Sequence, residues 1–103
     1  MTPEGKVKVK IREYLKARGD NYSFTPIGSG YGTAGVPDRI VCWRGQFIGI
    51  EVKAPGKLKT QTPIQKKAQQ EIEKTGGVYL LVDSVEMVKE WFEGGIELDT
   101  AIG

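Results

Sequence analysis

The sequence contains no histidine and a single cysteine, Cys42. Without imidazole there is no Ser-His or Cys-His nucleophile system and no histidine base. One thiol allows no internal disulfide, and it leaves a zinc site without its usual nitrogen and sulfur ligands. Long apolar runs are missing too: nothing approaches the roughly 20 residues of a membrane span, and the opening MTPEGKVKVKIREYLK has no signal-peptide core. These absences read as a cytoplasmic protein with no membrane partner. If it is an enzyme, carboxylates, lysine, amides or a hard metal ion must do the work. The 103 residues, 39% hydrophobic and 27% charged, suit one soluble domain spanning 1–103 with a single core.

Excess charge is also scarce, since 15 Lys and Arg against 13 Asp and Glu leave a net charge of +2. Its distribution carries more information. No acid occurs from Val52 to Gln70, where Lys53, Lys57, Lys59, Lys66 and Lys67 fall, and Lys6, Lys8, Lys10 and Arg12 form a second basic cluster. Acids gather late, at Glu86, Glu90, Glu93, Glu97 and Asp99. This polarity suits one face meeting a polyanion; ordinary solvated lysines would give the same pattern.

Thr2-Pro3-Glu4 is a helix start, followed by Val7, Ile11 and Leu15 at helical spacing and by Gly19 as a stop. The alternation KVKVKI also fits a strand. Residues 22–27, YSFTPI, read as a short edge strand, because Pro26 cannot donate to a ladder. GSGYGTAG, 28–35, reads as a flexible glycine loop beside the site with Tyr31 at its centre. Thr62-Pro63-Ile64-Gln65 opens another helix, with Ile64, Ala68 and Ile72 on one stripe and Gly76-Gly77 at its end. VYLLV, 78–82, is a continuously apolar run of the kind expected of a fully buried strand. Ser84 then caps a last helix with Val85, Val88, Trp91 and Phe92 turned inward. The predicted order is αβββαβα, an α/β domain; the tail after Gly94 has no assignment.

GVPDRIVCWRGQFIGIEVK, 35–53, reads as a hairpin turning at Arg44-Gly45. With a two-residue loop, opposed residues have numbers summing to 89. Asp38 then faces Glu51, with Cβ atoms roughly 4.5–5.5 Å apart. Lys53 and Gly49 share that face, and Ile50 and Val52 point to the other. A loop of odd length would send Asp38 to the opposite face. Like charges opposed in a sheet are destabilising, and partly buried carboxylates must be paired, protonated or bound to a cation. Lys53 neutralises one of the two. A divalent cation held by Asp38, Glu51 and a main-chain carbonyl would neutralise both with oxygen ligands, which suits Mg²⁺ or Mn²⁺. For Asp38 alone, an ordinary Pro-Asp turn explains the residue, and a salt-bridge cluster at a strand end is the bland account of all three.

PD at 37–38 followed across a hairpin by EVK at 51–53 resembles the PD-(D/E)XK nuclease superfamily, whose αβββαβ core agrees with the order above. GVPDRIV, IEVKAPGK and TPIQKKAQQEI in succession resemble the virus-type replication-repair nuclease (VRR-NUC) family, in the small stand-alone form that phages and prophages encode. The resemblance covers Glu4 to about Trp91. It implies Asp38 and Glu51 as metal-binding carboxylates, the Val52 carbonyl as main-chain ligand, Lys53 as the catalytic lysine and Gln65 as a residue organising the site. It also implies Glu4 as the acid of the first helix, with Glu13 as rival. Each has a plainer explanation as well: Thr62-x-x-Gln65 is a capping box, and Glu4 suits the helix dipole. Lys57, Lys59 and Lys66 are expected phosphate contacts or solvated lysines, and Tyr31 a stacking residue or a loop aromatic. By the same resemblance the expected activity is Mg²⁺-dependent endonucleolytic hydrolysis of branched DNA, including four-way junctions, by a homodimer in the host cytoplasm. A monomeric nicking or flap nuclease, or a nucleic-acid-binding module with a structural acid cluster, are the alternatives.

Overall fold

The Thr2 hydroxyl accepts a hydrogen bond from the Gly5 amide at 3.0 Å, and Pro3 fills the first helical position of α1, Pro3–Arg18. Gly19 ends the helix at φ 72°, a left-handed conformation that suits glycine. KVKVKI is therefore helical. Its apolar residues continue at Ile11 and Leu15, four apart and all buried, whereas alternation alone would have spread them over two faces. The computed structural model describes residues 1–27 and 34–102, the last eight as helical backbone only. Tyr31 and most of the glycine loop lie outside the described residues.

The remaining elements are β1 (Tyr22–Phe24), β2 (Arg39–Trp43), β3 (Gln46–Val52), α2 (Pro63–Lys74), β4 (Val78–Val82) and α3 (Val85–Ile102). A short 3₁₀ turn, Leu58–Thr60, precedes α2. The order is αβββαβα. One sheet runs β1-β2-β3-β4, antiparallel except for the parallel β3–β4 pair. No helix among the described residues is long and apolar enough to cross a membrane.

The hairpin turn is the two-residue one. Arg44 and Gly45 have φ 54° and 76°, both positive as a type I′ turn demands, and Trp43 pairs with Gln46 and Arg39 with Ile50. Arg44 offsets some of its backbone strain by laying its guanidinium 4.7 Å from the Trp43 ring centre. This register sends Val41, Trp43, Ile48, Ile50 and Val52 to one face, where they meet Val7, Ile11 and Leu15 of α1 and Val85, Val88 and Phe92 of α3. Phe92 is fully buried, edge-on to Trp43 at 4.8 Å.

The second face is thinner. Helix α2 leans on it through Ile72, which fits against Gly49 and Gly77; Ile64 is exposed, so the expected Ile64–Ala68–Ile72 stripe reaches the sheet only at its end. The reason is that the helix turns glutamines inward: Gln61 donates to Gln69 at 2.9 Å and to the Tyr79 hydroxyl at 3.3 Å. β4 is likewise an edge strand with Val78, Leu80 and Leu81 only half covered, not the fully buried strand its composition suggests. β1 stops at Phe24, two residues before Pro26, and α3 extends through the tail left unassigned from sequence.

Gly49 is required for this layer to close. A Cβ there would lie 2.7 Å from Cγ of the buried Pro37 and 3.3 Å from Cδ1 of Ile72. Because the Pro37 ring cannot rotate away, Gly49→Ala is expected to destabilise the fold by about 1–3 kcal/mol in denaturant unfolding.

Candidate active site

Asp38 stands just before β2, and the hairpin register carries it to the end of β3. Its Oδ2 accepts from the Val52 amide at 2.7 Å and its Oδ1 meets Lys8 Nζ at 3.3 Å. Glu51 lies on the same face, 3% exposed and hydrogen-bonded to the part-exposed Asp38. Burial first, and then the hydrogen bond and charge of Asp38, push the Glu51 carboxyl up to about 8; Lys53 and Lys8 oppose this only in part. Glu51 therefore keeps its proton near neutral pH.

Two residues beyond Glu51, Lys53 returns to the same face and is 8% exposed. The backbone fixes its base, since the Lys53 amide donates to the Val82 carbonyl at 2.8 Å. Its ammonium lies 4.0 Å from Glu51 Oε2 and donates to Gln65 Oε1 at 2.9 Å. Gln65 holds the group together from α2. Its Oε1 also accepts from the Thr62 amide at 3.0 Å, its own amide donates to Thr62 Oγ1 at 3.2 Å, and its Nε2 donates to Glu51 Oε2 at 3.3 Å. The side chain is thus both half of a capping box and a bridge between lysine and carboxylate. Turning the amide over would set its NH₂ against two donors, so its orientation is fixed by chemistry.

Glu4 reaches this constellation through an intermediary. Its Oε2 pairs with Lys8 Nζ at 3.0 Å, one helical turn on, and Lys8 pairs with Asp38. Burial works against the Lys8 charge, but Glu4 and Asp38 together hold its pKa above the ordinary value. Glu13 is exposed on another face of α1. Lys57 precedes the 3₁₀ turn, Lys59 lies within it and Lys66 lies on α2, all three exposed and none in an ion pair among the described residues.

Three neighbours carried no site role in the sequence reading. Lys8 stood only as one of a basic cluster; its i,i+4 relation to Glu4 was the available signal. Tyr79 is placed beside Gly49 by the parallel register, and burial chiefly raises its pKa, with Glu51 and Asp38 adding to the effect. Arg39 leaves on the opposite face, where burial first and the charge of Arg12 second hold its pKa below the ordinary value.

Among the described residues no cluster of three or more Asp, Glu, Cys or His side chains is assembled. A cation here would therefore take two carboxylates from the protein and complete its shell with main-chain oxygen, water or substrate, the habit of Mg²⁺ and Mn²⁺. The donors are all hard oxygens, and the proton that Glu51 retains is what such an ion would displace. The residues fit the group.

No protein-family model matches the chain and no curated protein sequence matches it. A solved structure described as a VRR_NUC domain does: it is 26% identical, the match covers 90% of this chain and 97% of that one, and the TM-score is 0.75. The chain is similar to a VRR-NUC domain over nearly its whole length. Its four-stranded mixed sheet and flanking helices are of the PD-(D/E)XK type. The VRR-NUC domains form a nuclease family, and this chain shares their fold.

Proposed function

We propose that the protein is a Mg²⁺-dependent, structure-selective DNA endonuclease, with Mn²⁺ able to substitute, acting as a homodimer on branched DNA such as four-way junctions. The observation that carries this reading is buried Glu51 beside the part-exposed Asp38, with Lys53 tied to Glu51 through Gln65. Asp38, Glu51 and the Val52 carbonyl would hold the cation. When bound, it supplies Lewis acidity toward phosphoryl oxygens and makes a water more acidic. Lys53 adds a fixed positive charge where negative charge develops on the phosphate, and Gln65 keeps that ammonium from folding onto Glu51 alone. The exposed Lys57, Lys59 and Lys66 then attract the backbone. One site per chain cuts one strand, so symmetric cleavage of a junction requires two copies about a two-fold axis.

The test is incubation with linear, flapped and four-way DNA in Mg²⁺, Mn²⁺ or chelator. Cleavage confined to branched DNA and to the metal-containing reactions is expected; cleavage of flaps alone by a monomer would replace the junction reading with a flap nuclease. Asp38 is already satisfied by Lys8 and by the Val52 amide, which is what a purely structural acid cluster would show. In that case the protein binds DNA, every substrate survives, and Asp38→Asn changes nothing.

Gln65 separates its two jobs by mutation. Thr62→Ala removes the cap hydroxyl alone and should cost about 1 kcal/mol of stability with cleavage nearly unchanged. Gln65→Ala also frees Lys53, and its cleavage rate should fall about 10–100-fold beyond what lost stability explains. Equal cleavage rates in the two folded variants would reduce Gln65 to a cap.

A further inference from the structure

The face of β2 turned away from the acids carries a cationic cleft that the proposed chemistry does not use. Arg39 follows Asp38 in sequence, and strand alternation sends it to the α1 side of the sheet, where it is half-buried. Its guanidinium donates to Ser23 Oγ at 2.9 Å, its one hydrogen-bond acceptor among the described residues. The charge that acts on it most is a like one, Arg12 of α1. Two cavities of about 200 and 420 Å³ share both arginines as lining. The first reaches Lys8 and Asp38; the second runs past Lys16 to Tyr22 on β1. Together the linings hold four cations, Lys8, Arg12, Lys16 and Arg39, and a single carboxylate, Asp38, which already pairs with Lys8.

Resting on the nuclease reading above, we propose that Arg12 and Arg39 form a phosphate subsite that grips the nucleic-acid strand next to the phosphate held at Asp38. A guanidinium has five N–H donors; Ser23 occupies one, and among the described residues no carboxylate pairs with Arg39. A half-buried arginine kept beside another arginine is costly unless an anion with several acceptor oxygens fills the space, and a phosphodiester matches the fork. The cavities continue away from Asp38 toward Lys16, so the ligand is a chain of phosphates and not a lone anion. Position supports the assignment: the cleft opens at Asp38, so a strand that enters it is already registered on the hydrolytic site.

The experiment is fluorescence anisotropy of labelled single-stranded and four-way DNA in chelator, repeated over a range of NaCl. Each phosphate contact removed should lower the slope of log affinity against log salt by about one, so Arg12→Gln and Arg39→Gln should each lose about one and the double variant about two, with affinity down roughly tenfold. Arg39→Lys should keep most of the slope. Should Arg39→Gln melt before the assay temperature by circular dichroism, the exposed Arg12→Gln alone must still lose about one. An unchanged slope in folded Arg12→Gln overturns the subsite. A protein that shows the slope change yet cuts nothing in Mg²⁺ keeps the subsite and loses the hydrolytic reading. One that cuts with unchanged slopes does the reverse, and one that binds no DNA loses both.

Discussion

Lys53→Ala is expected to leave DNA binding largely intact and to lower single-turnover cleavage in Mg²⁺ by about 10²–10³-fold, the usual effect of deleting one preorganised charge at a developing anion. Asp38→Asn should cost more, about 10³-fold, because a lost ligand to a catalytic cation is worth several kcal/mol. It should nonetheless fold as well as the parent. An amide oxygen still accepts from the Val52 amide, and the ion pair lost with Lys8 is a part-exposed one of small worth. Inactive, stable and still able to bind DNA is a combination that separates catalysis from scaffolding. The contrary pattern, a Lys53→Ala enzyme cutting at the parent rate, would leave the ammonium as no more than a structural counter-charge.

Glu51 carries the second large effect. Its folded pKa of about 8 lies above its ordinary value of 4.5. Between those values the folded chain holds a proton that the unfolded chain has released. The stabilisation is fully present below about pH 4.5 and is lost as pH rises through 8. In chelator, the unfolding free energy should therefore fall from pH 5 to 8.5 by on the order of a few kcal/mol and the melting temperature with it, and Glu51→Gln should flatten that fall. A divalent cation competes with the same proton, so stabilisation by Mg²⁺ or Mn²⁺ should grow with pH and vanish in Glu51→Gln. Differential scanning calorimetry at matched ionic strength measures both. A metal-induced shift that ignores pH, or that survives Glu51→Gln, places the ion elsewhere.

Much of this arrangement was legible before any coordinates. Arg44-Gly45 fixes a two-residue turn, the turn fixes the register, and the register carries Asp38 and Glu51 to one side with Val52 on the other. That chain of inference works because the side-chain period in a strand is two and one buried face tolerates no slip. What stayed hidden depends on assembly. A run such as VYLLV looks the same in a central strand and in an edge strand covered by helices, so the exposure of Leu80 and Leu81 could not be read from it. The α2 stripe failed at Ile64 because that helix spends its inward positions on Gln65 and Gln69. KVKVKI was ambiguous between two periods until burial of Val7, Ile11 and Leu15 chose one. Lys8 and Arg39 are legible as charges from sequence, but which one meets Asp38 and which turns to Arg12 follows only from how α1 lies on the sheet.

The central claim is that a divalent cation sits between two carboxylates brought together by the hairpin. Crystals soaked in Mn²⁺ and measured at the manganese absorption edge test it directly. The account predicts an anomalous peak bounded by oxygens of Asp38 and Glu51 at about 2.0–2.3 Å, absent from Asp38→Asn crystals grown the same way. No peak at saturating Mn²⁺, or a peak that persists unchanged in Asp38→Asn, would contradict it.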